Sequence, residues 1–175
     1  WALDHNLTLM GCSDIHTPID DRYRYHEGEH RTMTLAFVKE KTQAALKEAL
    51  FDRRTVVFAQ NTLIGREEWA KPLFEAAVEI QTSKVTLQGR DPFFVPIRNN
   101  SAMTFELEAD GRIQGLSFPG SLTLPAGKTV LMRLQGSGVP KDGEIIALPY
   151  RVTNIWLAPD TPLKTSFDLD LTFRE

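Results

Sequence analysis

The stretch Leu7-Thr8-Leu9-Met10-Gly11-Cys12-Ser13-Asp14-Ile15-His16 decides how the rest of the chain is read. An apolar run narrows to small residues, and Asp14 and His16 follow two apart. The run predicts a buried strand over residues 7–12 with both polar side chains at its C-terminal end. That is the end at which strand-and-helix proteins bind ligands. Side chains two apart on an extended segment point the same way, so a carboxylate and an imidazole there can share one metal ion. The plain alternative is a capping Asp and a surface His.

Behind this stretch, residues 13–31 are polar and turn-rich, with Pro18, Asp20-Asp21 and Gly28. A connection of this length inside a compact domain is usually functional or mobile. It carries His26 and His30, the other imidazoles near Asp14 and His16. A catalytic zinc-like centre takes three protein ligands and one open position, so these two are the candidates to extend the pair. Solvated loop histidines are the alternative. Arg31, beside His30, is the better of two anion-binding candidates and Arg66 the other, since guanidinium matches phosphate or carboxylate in bidentate fashion. A surface salt bridge is the competing use of each. Cys12 reads as a small buried residue rather than a nucleophile.

Further on, residues 33–38 (MTLAFV) read as a second strand. After Lys41 the period changes: Ala45, Leu46, Ala49 and Leu50 fall on one helical face, with Thr42 as N-cap and Arg53-Arg54 at the C-terminal end. Residues 55–58 then read as a third strand. A strand–helix–strand unit of this kind favours a parallel pair with a right-handed crossover. A second helix is expected from Gly65, carrying Trp69 and Phe74 on one face and Pro72 inside it.

From about Ile80 helical character stops. Short apolar or alternating runs at 84–88, 93–97, 103–108, 113–118, 121–124, 129–134, 144–150 and 166–173 are separated by turn residues. The turn signals are Asn99-Asn100, Asp110-Gly111, Ala126-Gly127 and Asp142-Gly143. This spacing predicts an antiparallel β-sandwich, in which Trp156 is expected to pack. The expected domains are residues 1–79, an α/β piece, and residues 80–175, an all-β Ig-like sandwich.

Composition narrows the function. The 175 residues carry 20 basic and 23 acidic side chains, a net charge of −3, which is no footprint for nucleic acid. No apolar run reaches the length of a membrane span. A single cysteine excludes an internal disulfide framework. There is no glycine-rich phosphate loop, no GxSxG and no zinc-finger spacing.

Three ordered segments carry a family resemblance. They are Gly11-Cys12-Ser13-Asp14-Ile15-His16, then His30-Arg31-Thr32-Met33-Thr34, then residues 41–55 with Ala49-Leu50-Phe51-Asp52-Arg53-Arg54-Thr55. Together they resemble the C-terminal end of PHP proteins, the polymerase-and-histidinol-phosphatase family of metal-dependent phosphoesterases. The stretch 61–68 and the trailing β-domain resemble a bacterial phosphodiesterase-like subgroup. The resemblance covers about residues 1–78. It implies the last strands and helices of a distorted (β/α)7 barrel, followed by the sandwich. It implies two or three divalent metal ions (Mn, Zn or Fe) in the complete protein and a phosphomonoester or phosphodiester substrate. By the Ser-Asp-x-His motif, Asp14 and His16 carry over as metal ligands.

The family's His-x-His motif, internal Glu and further His ligands have no counterpart here, and three strands cannot close a barrel. The chain therefore reads as a piece of a longer protein, inactive alone and a weak metal binder. It is expected to expose apolar surface on 7–12 and 33–38 and to be able to pair with a second copy there. Two alternatives stand beside the phosphoesterase: a non-catalytic sandwich acting as a binding or interaction module, and an amidohydrolase-like metal hydrolase. A sandwich appended to a hydrolase favours a periplasmic or secreted location over the cytoplasm.

Overall fold

The computed structural model describes residues 1–18, 23–24, 29–137, 139 and 141–174. They divide into two compact units: Trp1–Leu73 with Asn154–Pro162, and Phe74–Thr153 with Leu163–Glu175. Strand dominates, and there are two helices among the described residues.

The first unit is built on three antiparallel strands, β1 (Met33–Ala36), β2 (Thr55–Ala59) and β3 (Thr62–Gly65). Helix α1 (Gln43–Phe51) lies between β1 and β2. Thr42 caps it as expected: its backbone is extended, and its hydroxyl accepts from the Ala45 N–H at 3.2 Å. At the other end Arg53 sits at φ 60°, with Arg53 N–H donating to Leu50 O and Arg54 N–H to Ala49 O. This is the Schellman closure, usually made by glycine. The helical stripe is covered only in part: Ala45 and Ala49 are buried, but Leu46 and Phe51 stand exposed.

Two sequence expectations fail here. The pair β1–β2 is antiparallel, not parallel: Ala36 faces Thr55, and the Phe37 N–H donates to Arg54 O. The C-terminal closure of α1 turns the chain straight into β2 beside the end of β1, so no crossover forms. Residues 7–12 do not form a strand either; they run as irregular backbone, with Leu7 and Met10 exposed. Leu9 O and both backbone groups of Gly11 meet threonine side chains rather than a strand ladder.

A two-residue turn, Gln60-Asn61, joins β2 to β3. Both residues have positive φ (47° and 59°), as a primed hairpin turn requires. The Asn154 side-chain amide donates to Asn61 O at 2.8 Å, and Ile155 and Trp156 then run parallel to Leu63 and Ile64. This return of residues 154–162 to the first unit has no sequence signal. Helix α2 (Glu67–Ala77) carries the chain from the first unit into the second. Glu67 and Glu68 suit the positive end of its dipole, and Pro72 lies within it.

The second unit begins with β4 (Val78–Ile80), β5 (Lys84–Gln88), β6 (Pro92–Asn99), β7 (Phe105–Ala109), β8 (Leu116–Ser117), β9 (Ser121–Leu124) and β10 (Thr129–Gly136). Two long strands, β11 (Lys141–Ala158) and β12 (Thr161–Arg174), complete it with their portions up to Thr153 and from Leu163. One sheet has the order β4-β6-β10-β8, all antiparallel. In the other, β9 pairs β7, β7 pairs β11, β11 neighbours β12, and β12 runs parallel to β5.

Strict alternation builds its core. Val85 and Leu87, Val95 and Ile97, Phe105 and Leu107, Leu122 and Leu124, and Met132 and Leu134 are all buried. So are Leu148, Tyr150 and Val152, and then Phe167, Leu169, Leu171 and Phe173. Across the two sheets, the Tyr150 hydroxyl lies 3.9 Å from Met132 Sδ and donates to Pro119 O at 2.8 Å. Burial pushes this phenol above its ordinary pKa.

Asn99 closes one end of the core. It is fully buried, and its amide donates to Met103 O (2.7 Å) and Leu124 O (2.8 Å). Its Oδ1 accepts from the Ser101 N–H and hydroxyl. Asp142-Gly143, expected as a turn, falls inside β11. A Cβ on Gly143 would sit 3.0 Å from Thr172 Oγ1, so close approach explains this glycine.

Candidate functional site: the Asp14–His16 pair

Leu9 and Gly11 are tied to β1 and β2 by side-chain hydroxyls. The Thr55 hydroxyl donates to Leu9 O at 2.8 Å. The Thr34 hydroxyl donates to Gly11 O at 3.0 Å and accepts from the Gly11 N–H at 2.9 Å. A hydroxyl can do both at once, and no apolar side chain of that shape can. Thr8 donates to Leu50 O, and Arg66 donates to Leu7 O at 3.1 Å. Arg66 thus ties the backbone of the segment at Leu7. Gly11 is required by proximity: a Cβ there would lie 2.4 Å from Val57 Cγ1 and 3.1 Å from Thr32 Cγ2.

Just beyond the clamp the backbone turns. Asp14 takes φ 51°, a left-handed conformation that Asp tolerates better than most residues. The turn brings Asp14 Oδ1 to 3.3 Å from His16 Nε2, with both side chains almost fully exposed. Two donors about 2.1 Å from one tetrahedral ion lie about 3.4 Å apart. The separation therefore fits two ligands of one ion, and carboxylate with imidazole suits Zn, Mn or Fe. Among the described residues no group of three or more His, Cys, Asp or Glu side chains could hold a metal. The pair alone offers two donors, one fewer than a three-ligand centre takes.

The other expected residues fall as follows. His26 lies outside the described residues, as do Asp20, Asp21 and Arg22. His30 is half-buried, its ring 5.8 Å from that of Phe58, and it does not join Asp14 and His16 in a ligand cluster. Arg31 is exposed. Cys12, expected to be buried, is exposed, because the segment carrying it is not a core strand. Trp69 stacks on Phe37 at 5.3 Å. Trp156 is half-buried and lines an apolar cavity of about 500 Å³ with Trp1, Leu9 and Ile64. Thr34 and Thr55 were not singled out by sequence reasoning. The available signal was a hydroxyl within or at the start of each of two neighbouring strands, Thr34 in β1 and Thr55 in β2.

Among the described residues no helix is long and apolar enough to cross a membrane. No curated protein matches the chain. A solved structure from Bacteroides vulgatus, described as a two-domain protein containing a predicted PHP-like metal-dependent phosphoesterase, is 34% identical with a TM-score of 0.85. The match covers 97% of this chain and 48% of that one, so this chain spans about half the length of that protein. The periplasmic chaperone SfaE (14% identity, TM-score 0.41, 55% of this chain and 57% of that one) also matches. So does the class 5 fimbriae chaperone CfaA (15%, 0.40, 56% and 57%). Residues 78–168, more than half of the chain, match the Ig-like domain family DUF5001; the span takes in most of the second unit together with residues 154–162 of the first. The chain belongs to that Ig-like domain family.

Proposed function

We propose that the chain is the C-terminal part of a PHP-like metal-dependent phosphoesterase. In this reading Asp14 and His16 supply two ligands of its metal centre, and the Ig-like domain is a non-catalytic module behind it. The 3.3 Å convergence of Asp14 Oδ1 and His16 Nε2 at the end of a clamped segment carries this reading. It is supported by 34% identity over 97% of the chain to a two-domain protein described in those terms. Divalent metal, when bound, lowers the pKa of a coordinated water and offsets charge on phosphoryl oxygens. The residues of this chain would do the holding: Asp14 would offer a carboxylate oxygen and His16 a ring nitrogen. The exposed Arg31 is the guanidinium assigned to the phosphate.

Two donors cannot hold an ion tightly. The 175-residue chain by itself is therefore expected to hydrolyse nothing and to bind Mn or Zn weakly. The test uses the full-length gene product, with aryl phosphate mono- and diesters in the presence of Mn. Asp14→Ala is expected to lower kcat/KM at least about a hundredfold, as loss of a metal ligand or its support does. Unchanged turnover in Asp14→Ala, or turnover of amides in place of phosphate esters, would overturn the assignment. The Ig-like domain as the sole functional unit is the second reading. It is favoured by the family match over residues 78–168, and it gains if no metal-dependent hydrolysis is found.

A further inference from the structure

We propose that Thr34 is a positioning residue for the Asp14–His16 pair, an inference that rests on the metal-ligand reading above. Its hydroxyl takes both backbone groups of Gly11, the amide at 2.9 Å and the carbonyl at 3.0 Å. In a strand ladder those groups would be satisfied by a neighbouring backbone. Here residues 7–12 have no such ladder, so one side chain replaces it.

The clamp lies three residues before Asp14. Upstream the segment is tied again, by Thr55 to Leu9 O. Downstream of Gly11 the backbone turns at Asp14 (φ 51°), and Asp14 and His16 are almost fully exposed. Among the described residues, the threonine hydroxyls on Leu9 and Gly11 are the polar ties to the backbone nearest the pair, beyond those at Leu7 and Thr8. Thr34 is the nearer one, and the one that fixes both the direction and the height of the backbone over the sheet. Gly11 makes the approach possible, because any Cβ would strike Val57. Thr34 itself faces Val57 across β1–β2, so clamp and clearance occupy one cross-strand pair.

The discriminating substitutions are Thr34→Val and Thr34→Ser. Valine keeps the shape and the strand preference but loses the hydroxyl; serine keeps the hydroxyl. Two readouts are taken on the intact chain by NMR. The first is hydrogen exchange of the Gly11 amide. The second is line broadening of the His16 ring by Mn, with the exposed His5 ring as reference. Thr34→Val is expected to speed Gly11 exchange roughly fivefold, the factor for one lost hydrogen bond. It is expected to weaken Mn broadening at His16 by a similar factor, and Thr34→Ser is expected to restore both.

If Thr34→Val leaves both readouts at the parent level, or if Thr34→Ser behaves like Thr34→Val, the proposal is overturned. Gly11→Ala presses the same segment from the other side and is expected to show the same two losses; it decides the matter should Thr34→Val not fold. Asp14→Ala separates the two claims. If it leaves Mn broadening at His16 intact, the ligand reading fails and the role of the clamp fails with it. If it abolishes broadening while Thr34→Val does not reduce it, the ligand reading stands and the positioning role is lost.

Discussion

Replacing Asn99 with Leu should unfold the second unit far more easily than any surface change. The side chain is fully buried and makes four hydrogen bonds, two given to Met103 O and Leu124 O and two accepted from Ser101. Each is worth about 1 kcal/mol net, and a buried partner left unsatisfied costs about 1–3 kcal/mol more. Freed from Asn99 Oδ1, the Ser101 hydroxyl can donate to Met103 O, 3.1 Å away, so that carbonyl is not orphaned. The Ser101 N–H and Leu124 O each lose a partner. Burial of the extra apolar atoms offsets about 1–2 kcal/mol. The net loss is about 4–9 kcal/mol, or roughly a thousandfold or more in the opening equilibrium.

Native-state hydrogen exchange at Leu122, Leu148, Tyr150 and Val152, all in this unit, reads that factor directly. Asn99→Asp gives the sign of the electrostatics. Its carboxylate would face two carbonyl oxygens where the amide stood, so its folded pKa rises above the ordinary 3.9 or so. The folded state then holds the proton more tightly, and stability falls as pH rises from about 4 through the raised value. The Asp variant should therefore be more damaged at neutral pH than at pH 3. A loss under about 1 kcal/mol in Asn99→Leu would refute the claim that this network closes the core.

Three further outcomes follow from named contacts. Gly11→Ala should destabilise the first unit by about 1–3 kcal/mol through overpacking against Val57, and adding Val57→Ala should recover part of that loss in a thermal melt. Arg53→Gly should stabilise α1 by about 0.5–1 kcal/mol, because Arg53 holds the left-handed closing position that glycine takes without strain; urea midpoints check it. Tyr150 keeps its proton in the folded state, whereas an unfolded tyrosine ionises from about pH 10. Stability should therefore decline as pH rises above about 10, and Tyr150→Phe, at a cost of about 1 kcal/mol for the lost bond to Pro119 O, should flatten that decline.

The second unit was legible because its residues obey one rule. Phe167, Leu169, Leu171 and Phe173 alternate with Asp168, Asp170 and Thr172, and all four apolar side chains are buried. Thr42 ahead of Ala45 gave the start of α1 for a similarly local reason. The first unit was less legible because its decisive contacts are not periodic. An apolar run at 7–12 carries the same letters whether a ladder or two threonine hydroxyls hold it. The direction of β2 against β1 is set by the closure at Arg53, a left-handed residue that sequence rules expect to be glycine. The primed turn at Gln60-Asn61 lacks the usual glycine, and the contact of Asn154 with Asn61 spans 93 positions. For the candidate site, the spacing led to the expectation that Asp14 and His16 stand together on a strand; they do meet at 3.3 Å, but across a left-handed turn at Asp14, and the Thr34 hydroxyl on Gly11 was not anticipated.

Anomalous diffraction from crystals of the full-length gene product, grown with Mn or Zn, tests the central claim most directly. The account predicts an ion about 2.0–2.2 Å from both Asp14 and His16, with its remaining ligands from outside that pair. A metal centre whose ligands include neither residue, or no ion at the pair when the rest of the centre is filled, would contradict it.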